Sequence, residues 1–308
     1  MKRLLAAALV AVSLVVLFFC TTAAPGGAVN DASNSQSLDL TGRKLPVRSA
    51  KPQRIVSMSP AITEILFALG AGDRVVGVTS YSDYPSAAKS IPSIGGYQAP
   101  DLETVVALAP DIVFAMGEIQ AKPTRILEQA KIPVVSIEPA TLDEVIAAID
   151  LISEAISEQE QGKLLHDELT ATLHKVQQRL AQAPPKSVFV EVWDAPLLTV
   201  GSKSFINDII TQAGGVNVAA GNPVDYTPCD IETLYAANPD SYLVISHSRQ
   251  DIRNFAAKPE LTDLAAVKNQ QVFQLEDDLL VRPGPRCFVG LVEVATVLHP
   301  ELMQGWEN

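Results

Sequence analysis

The residues best suited to chemistry in this chain are aromatic: Tyr81, Tyr97, Trp193 and Tyr226, with Arg282 as a cationic companion. Aromatic residues fill only 6% of the 308 positions, so four in loops that the strand pattern brings to one edge are a concentration. Their place at the strand ends is where a ligand of an open α/β sheet would sit. The alternative for each ring is that it fills a local core. Signatures of catalysis are missing. No GxGxxG follows the first strand, and there is no P-loop and no GxSxG elbow. His166, His174, His247 and His299 show no metal-ligand spacing, and His166 and His174, eight positions apart on one helix, face outward. His247 follows a strand and could line a cleft. With no acid–base pair placed by spacing, no residue is assigned a catalytic or metal-binding role, and no catalytic cofactor is expected.

Ligands of open α/β sheets sit at the carboxyl ends of the strands, and strands here alternate with helices. Strands are expected at 54–58, 75–78, 112–115 and 134–137, and again at 187–192, 198–200, 242–245 and 271–275. Ser59 and Pro60 read as N-cap and first-turn proline of a helix to Leu69. The last loop, Glu276 to Arg286, ends in Arg282-Pro283-Gly284-Pro285-Arg286 before a helix over 288–298. The alternation predicts mostly parallel sheets covered on both faces.

Between the two strand sets runs Ser157 to Gln182, with Gly162 as its one glycine and Pro184-Pro185 as its stop. Leu165, Leu169, Leu173, Val176 and Leu180 recur at spacings of three and four, one helical stripe. Ser157 and Glu160 read as a capping box. About 25 residues at ~1.5 Å each make a rod of about 37 Å. The chain on either side of it is similar: D-[LI]-E-T-x-x-A-x-x-P-D occurs at 101–111 and again at 230–240. Two copies flanking one long helix predict an α/β fold of two Rossmann-like lobes with mostly parallel sheets, joined by one long rigid α-helix. The expected divisions are a signal peptide 1–23, a flexible leader 24–50 with a short edge strand at Lys44–Val47, an N-terminal lobe 51–156, a connecting helix 157–183 and a C-terminal lobe 184–308.

With 47% hydrophobic and 19% charged residues the chain is globular, and a net charge of −12 argues against nucleic acid or an anionic membrane as main partner. Lys2-Arg3 ahead of the apolar stretch 4–19 is an export signal, shorter than the ~20 residues of a membrane span. Cleavage after Ala23 or Ala28 gives a soluble exported protein; Cys20 keeps a lipid-anchored alternative open. Cys229 and Cys287 then remain, either as a disulfide in an oxidising compartment or as two buried free thiols, and the bond is the reading adopted.

Several stretches together resemble the periplasmic binding proteins of ABC importers. They are Arg54 to Pro60 with Thr63-Glu64, then Val76 to Pro85, then Gly96-Tyr97-Gln98 before Asp101-Leu102-Glu103, and the Arg282-Pro283-Gly284-Pro285-Arg286 loop. The resemblance covers about residues 51–300 and is to the helical-backbone group for cobalamin, ferric siderophores and haem; Ser80-Tyr81-Ser82-Asp83-Tyr84-Pro85 is most similar to the cobalamin binders. It implies two lobes with little hinge motion and a ligand held between them. It implies ligand contacts at Tyr81, Tyr97 and Tyr226, the last two at positions where the pattern has tryptophan. Asp278, Leu279, Leu280, Val281 and Arg282 match the loop that touches the corrin, and Trp193 stands where the pattern has a small residue. Glu103 and Glu232, in one slot of the two repeats, match glutamates that dock on arginines of a two-subunit permease; the structural alternative is that each complements a helix dipole. The expected function is periplasmic capture of cobalamin, as transported ligand, and its delivery to an ABC permease dimer with its ATPase subunits. A ferric siderophore is the second reading and haem the third, with an exported enzyme as the other class. Membrane contact would arise only through the permease or a lipid anchor at Cys20.

Overall fold

Short runs rich in valine and isoleucine build two parallel sheets. In the computed structural model, residues 39, 42–43, 50–245 and 259–306 are described. The export segment with Cys20, the strand expected at Lys44–Val47 and His247 lie outside them. Ile55–Ser57 (β1), Val75–Gly77 (β2), Ile112–Met116 (β3) and Val134–Ile137 (β4) form the first sheet, ordered β2-β1-β3-β4 with every pairing parallel. Lys186–Glu191 (β5), Gly215–Asn217 (β8), Ser241–Val244 (β10) and Val272–Gln274 (β11) form the second, ordered β8-β5-β10-β11 and again parallel. The two orders are the same order. Trp193–Asp194 (β6), Leu197–Val200 (β7) and Tyr226–Pro228 (β9) make a small antiparallel sheet. The segments at Trp193 and Tyr226, expected as loops, are thus strands. At two or three residues they are too short to show a period, and their pairing with β7 is what defines them.

The helices are Pro60–Ala68 (α1), Leu102–Ala107 (α2), Ala121–Gln129 (α3), Leu142–Ala155 (α4), Gln159–Leu180 (α5), Phe205–Gln212 (α6), Ile231–Ala237 (α7), Ala265–Lys268 (α8), Asp278–Val281 (α9), Cys287–Leu298 (α10) and Pro300–Met303 (α11). The repeated sequence produces repeated geometry. Asp101 caps α2 by accepting from the N–H groups of Glu103 (3.1 Å) and Thr104 (3.2 Å), and Asp230 caps α7 through the N–H of Thr233 (2.6 Å). Ala109 (φ 44°) and Asn238 (φ 39°) then turn the chain through the left-handed region. Asp111 accepts from the N–H groups of Gln53 (2.7 Å) and Arg54 (2.9 Å), just ahead of β1. Asp240 accepts from the N–H (2.9 Å) and hydroxyl (2.7 Å) of Ser187 in β5. Each copy therefore caps a helix with its first aspartate and fastens a strand's entry with its last.

The long helix α5 has 22 residues, about 33 Å at ~1.5 Å per residue. Its buried stripe is Leu169, Leu173, Val176 and Leu180, with Leu165 half-buried, as the spacing predicts. Its start differs from the expectation. Ser157 (φ 59°) closes α4 instead: its N–H reaches the Glu154 carbonyl (3.2 Å) and the Glu158 N–H reaches that of Ser153 (2.8 Å). A residue held left-handed at one helix's end cannot take the extended backbone of the next helix's cap, so there is no capping box. Glu158 pairs with Arg74 and Lys51.

One hydrophobic cluster runs through both lobes, taking Ile55, Ile112 and Phe114 from the first sheet, Val188, Val190 and Leu243 from the second, and residues of α4, α5, α6 and α10 between them. The alternate residues Val56, Val113 and Ala115, and Phe189, Tyr242 and Val244, build separate clusters on the outer faces. Strands buried on both sides explain the continuous apolar runs. The same arrangement overturns the disulfide. Cys229 and Cys287 are both free. Cys229 packs on the outer face of the second sheet with Leu234 and Tyr242, and Cys287 is fully buried on the inner face with Phe288 and Leu291. The sheet stands between them, and a disulfide needs Cα atoms within about 7 Å. Burial raises both thiol pKa values, so neither is a ready nucleophile.

Gly162 lies where α5 crosses α4, and a methyl group there would overlap both the Cβ and the hydroxyl of Ser153. Alanine gains ~1 kcal/mol of helix propensity, but overpacking costs about 1–3 kcal/mol and no Ser153 rotamer relieves it. Gly162→Ala is therefore expected to lower stability by about 1 kcal/mol, read as an earlier urea midpoint.

Candidate functional site

The carboxyl ends of β1 and β3 open onto a cleft between the lobes, and short segments after the strands supply its first wall. Ser59 is extended and hands over to Pro60 at the start of α1, although its hydroxyl makes no capping bond. The Thr63 hydroxyl bonds to the Ser59 carbonyl (3.0 Å) and to the Ser57 (2.9 Å) and Ser82 (3.1 Å) hydroxyls, and Ser82 also meets Thr79 (3.0 Å). This buried hydroxyl cluster fixes the loop that exposes Tyr81. A second loop turns at Gly95 (φ 89°) and carries the half-buried Tyr97. Gln120 is fully buried; its amide donates to the carbonyls of Met58 and Tyr97 (both 2.7 Å) and accepts from the Met116 N–H (2.7 Å). It ties the Tyr97 loop to the ends of β1 and β3. Nothing in the sequence marks it, since one glutamine ahead of a helix has no periodic signal.

The second wall is α9 and the turn after it. Together they enclose a cavity of about 600 Å³, lined among others by Tyr81, Tyr97, Met116, Asp278, Val281 and Arg282. Five of the expected contact residues are thus brought together. Trp193, Tyr226, Leu279 and Leu280 do not line it: Leu279 and Leu280 are buried at 5% and 1% exposure, Leu280 within the core that α10 shares. Reading this segment as a loop gave it no inner face, and the helical turn of α9 supplies one. Trp193 and Tyr226 stand exposed on the small antiparallel sheet, the Trp193 indole donating to the Ala195 carbonyl (3.0 Å). Burial, the Glu138 carboxylate and the nearby Tyr226 together push the Tyr97 phenol up to about 12. Crowding raises Tyr226 as well, with help from Asp225. Glu103 and Glu232 are exposed in the first turns of α2 and α7. Among the described residues no helix is long and apolar enough to cross a membrane.

The periplasmic binding protein family model matches residues 55–279, most of the chain. The chain belongs to this family. It is 29% identical over 281 residues to the ABC transporter substrate-binding lipoprotein YvrC of Bacillus subtilis, covering 89% of this chain and 85% of YvrC. Among solved structures, the periplasmic vitamin B12 binding protein BtuF of Vibrio cholerae matches with a TM-score of 0.73 at 28% identity, over 83% of this chain and 99% of BtuF. The periplasmic heme-binding protein RhuT from Roseiflexus matches with a TM-score of 0.73 at 26% identity, over 82% and 99%.

In this periplasmic binding protein the arginines at the cleft are neutralised where they stand. Glu64, 3% exposed in α1, accepts from Arg286 Nε (3.0 Å) and Nη2 (2.7 Å). Arg282 meets Asp83 and Asp278, each at 2.7 Å, and lies 3.6 Å from Glu64. The Arg286 guanidinium also sits 4.0 Å from the Tyr84 ring centre. Burial works against the charge on Asp83, but Arg282 outweighs it and holds that carboxyl below the usual range. At Asp278 burial prevails over Arg282 and raises the pKa. Glu64, Asp83 and Tyr84 come from one lobe and Asp278, Arg282 and Arg286 from the other, so the cluster clasps the lobes together. A glutamate within the buried run 61–66 is itself a sign that a cationic partner must exist.

Proposed function

We propose that this protein captures cobalamin or a related corrinoid between its lobes, outside the cytoplasm, and delivers it to an ABC import permease. The supporting observation is a cavity with Tyr81 and Tyr97 on one wall, whose lining arginine, Arg282, is already held by Asp83 and Asp278, and whose neighbour Arg286 is held by Glu64. A corrin is broad and amphipathic, with neutral amides at its rim, and asks for flat contact area rather than free charge. An anionic ferric siderophore asks for unpaired cations. Haem, favoured by the likeness to RhuT, brings carboxylates and an iron that takes an axial His or Tyr. Burial raises the Tyr97 phenol to about 12, so giving up its proton to such a metal costs more than at an ordinary tyrosine. The likeness to BtuF supports the corrinoid reading, and the relatives named above are binding proteins rather than enzymes. We divide the molecule into lobes 51–156 and 184–308 about the helix 157–183. We place Glu103 and Glu232 at the permease, and the likeness to lipoprotein YvrC keeps the lipid anchor at Cys20 as the alternative to a free periplasmic protein.

Calorimetric titration with cyanocobalamin, haemin and a panel of ferric siderophores tests the ligand. Saturable corrinoid binding is expected, and tight binding of haemin or a siderophore with none of cyanocobalamin would sink the reading. Tyr97→Ala and Trp193→Ala should each weaken corrinoid binding by about 1–3 kcal/mol, the scale of a lost aromatic contact. Because Trp193 is exposed, its replacement should leave the melting temperature nearly unchanged. Early unfolding with intact affinity would instead make these rings core residues.

A further inference from the structure

We infer that Asp83 sets the charge selectivity of the cleft: by occupying Arg282 it makes the site favour a neutral ligand and disfavour an anionic one. The inference deepens the corrinoid reading and rests on it for its main probe. Arg282 is 15% exposed and uses both arms of its fork, Nη1 on Asp83 and Nη2 on Asp278, each at 2.7 Å. The two carboxylates are not equivalent. Asp278 is one helical turn before Arg282 and belongs to the cavity wall. Asp83 comes from the other lobe, 199 positions away, and is half exposed. Its loop does not depend on it, because the Thr63, Thr79 and Ser82 hydroxyls already fix that segment. Arg286 does not take over the role of Arg282, since it lies outside the cavity lining and spends Nε and Nη2 on Glu64.

The charge count makes the consequence specific. Glu64, Asp83, Asp278 and, more loosely, Glu276 (3.9 Å) oppose Arg282 and Arg286, four carboxylates against two guanidinium groups. An anionic ligand entering beside Arg282 loses hydration and finds that guanidinium already held by two carboxylates, whereas a neutral amide loses less. Removing the charge of Asp83 leaves three against two and takes the closest carboxylate from Nη1 of Arg282, whose next is Glu64 at 3.6 Å. The pairing acts at a distance on selectivity, so Asp83 is a positioning residue and need not touch the ligand.

The test compares the intact protein with Asp83→Asn for two ligands of one shape: cyanocobalamin, and a cyanocobalamin monocarboxylic acid in which one rim amide is hydrolysed to a carboxylate. Because the Asp83–Arg282 pair is partly solvent-screened, the preference ratio should move about fivefold toward the acid, with cyanocobalamin affinity changed less than about twofold. Asp83→Glu should retain the original ratio, and Asp83→Asn/Arg282→Gln should lose the shift. An unchanged ratio in Asp83→Asn, or an equal loss for both ligands, would overturn the inference. If the starting protein does not bind cyanocobalamin, the proposed function fails instead, and haemin, a dicarboxylate, still reads Asp83. Haemin affinity that is equal in the two proteins, or absent in both, overturns the selectivity role.

Discussion

Uptake should fall to background when Glu103 and Glu232 are both replaced by alanine, while ligand affinity and melting temperature stay where they were. The fold has little use for either carboxylate. Asp101 and Asp230 already cap α2 and α7, and a further first-turn glutamate adds only about 0.3–1 kcal/mol through the helix dipole. Both are exposed, and both occupy the same slot in two lobes whose capping, turning and strand-fastening contacts repeat. A pseudo-twofold molecule meeting a twofold permease needs one anchor per lobe, and charge-assisted pairs with arginine fix register as well as energy. Each such bond contributes about 1.5–3 kcal/mol, so losing both should weaken docking by about a hundredfold or more. Single replacements should give intermediate rates. Vesicles carrying the permease and supplied with loaded double variant provide the measurement, and transport at the original rate by folded, loaded protein would refute the docking role.

The largest loss of stability is expected from Arg286→Ala, about 3 kcal/mol. Glu64 is the reason. Its carboxylate is buried in α1 and takes two hydrogen bonds from Arg286, with Arg282 the next cation at 3.6 Å. Truncating Arg286 strands that charge, and the partners of Arg282 on Asp83 and Asp278 leave little to compensate it. The clasp between the lobes loosens at the same time, and with it the turn that carries Arg282 to the cavity. Replacing both partners, Glu64→Gln with Arg286→Ala, should recover part of the loss because no buried charge remains unpaired. Urea unfolding of the three variants measures this. A double variant no more stable than Arg286→Ala alone would mean that packing of the Arg286 side chain, and not its charge, held the lobes.

Local signals carried the architecture a long way. Apolar runs of strand length between capped helices specify parallel sheets, because a strand buried on both faces has no polar side to display. The aspartates of the repeat cap and fasten through groups two or three residues away or at the neighbouring strand's entry, so one motif read twice predicts two similar lobes. The stripe Leu169, Leu173, Val176 and Leu180 needs only helical geometry to be legible. The aromatic rings and the loop ending in Arg286 were also visible as residues at strand ends.

What the tertiary structure decided are choices between local options of similar energy, settled by partners far along the chain. Ser157 can cap a following helix or close a preceding one, and packing of α5 against α4 selects the closure. Cys229 and Cys287 look paired until the second sheet is seen to separate them. Leu279 and Leu280 turn inward because α9 lies on α10, while Asp278, Val281 and Arg282 remain at the cavity. Glu64 finds Arg286 across 222 positions, Asp83 finds Arg282 across 199, and Gln120 joins segments 62 and 23 positions away. None of these pairings has a period or a motif, since each depends on where the whole chain has already brought two side chains together. Some of the residues that line the cavity stand out in the sequence; the charge they present to a ligand exists only in the fold.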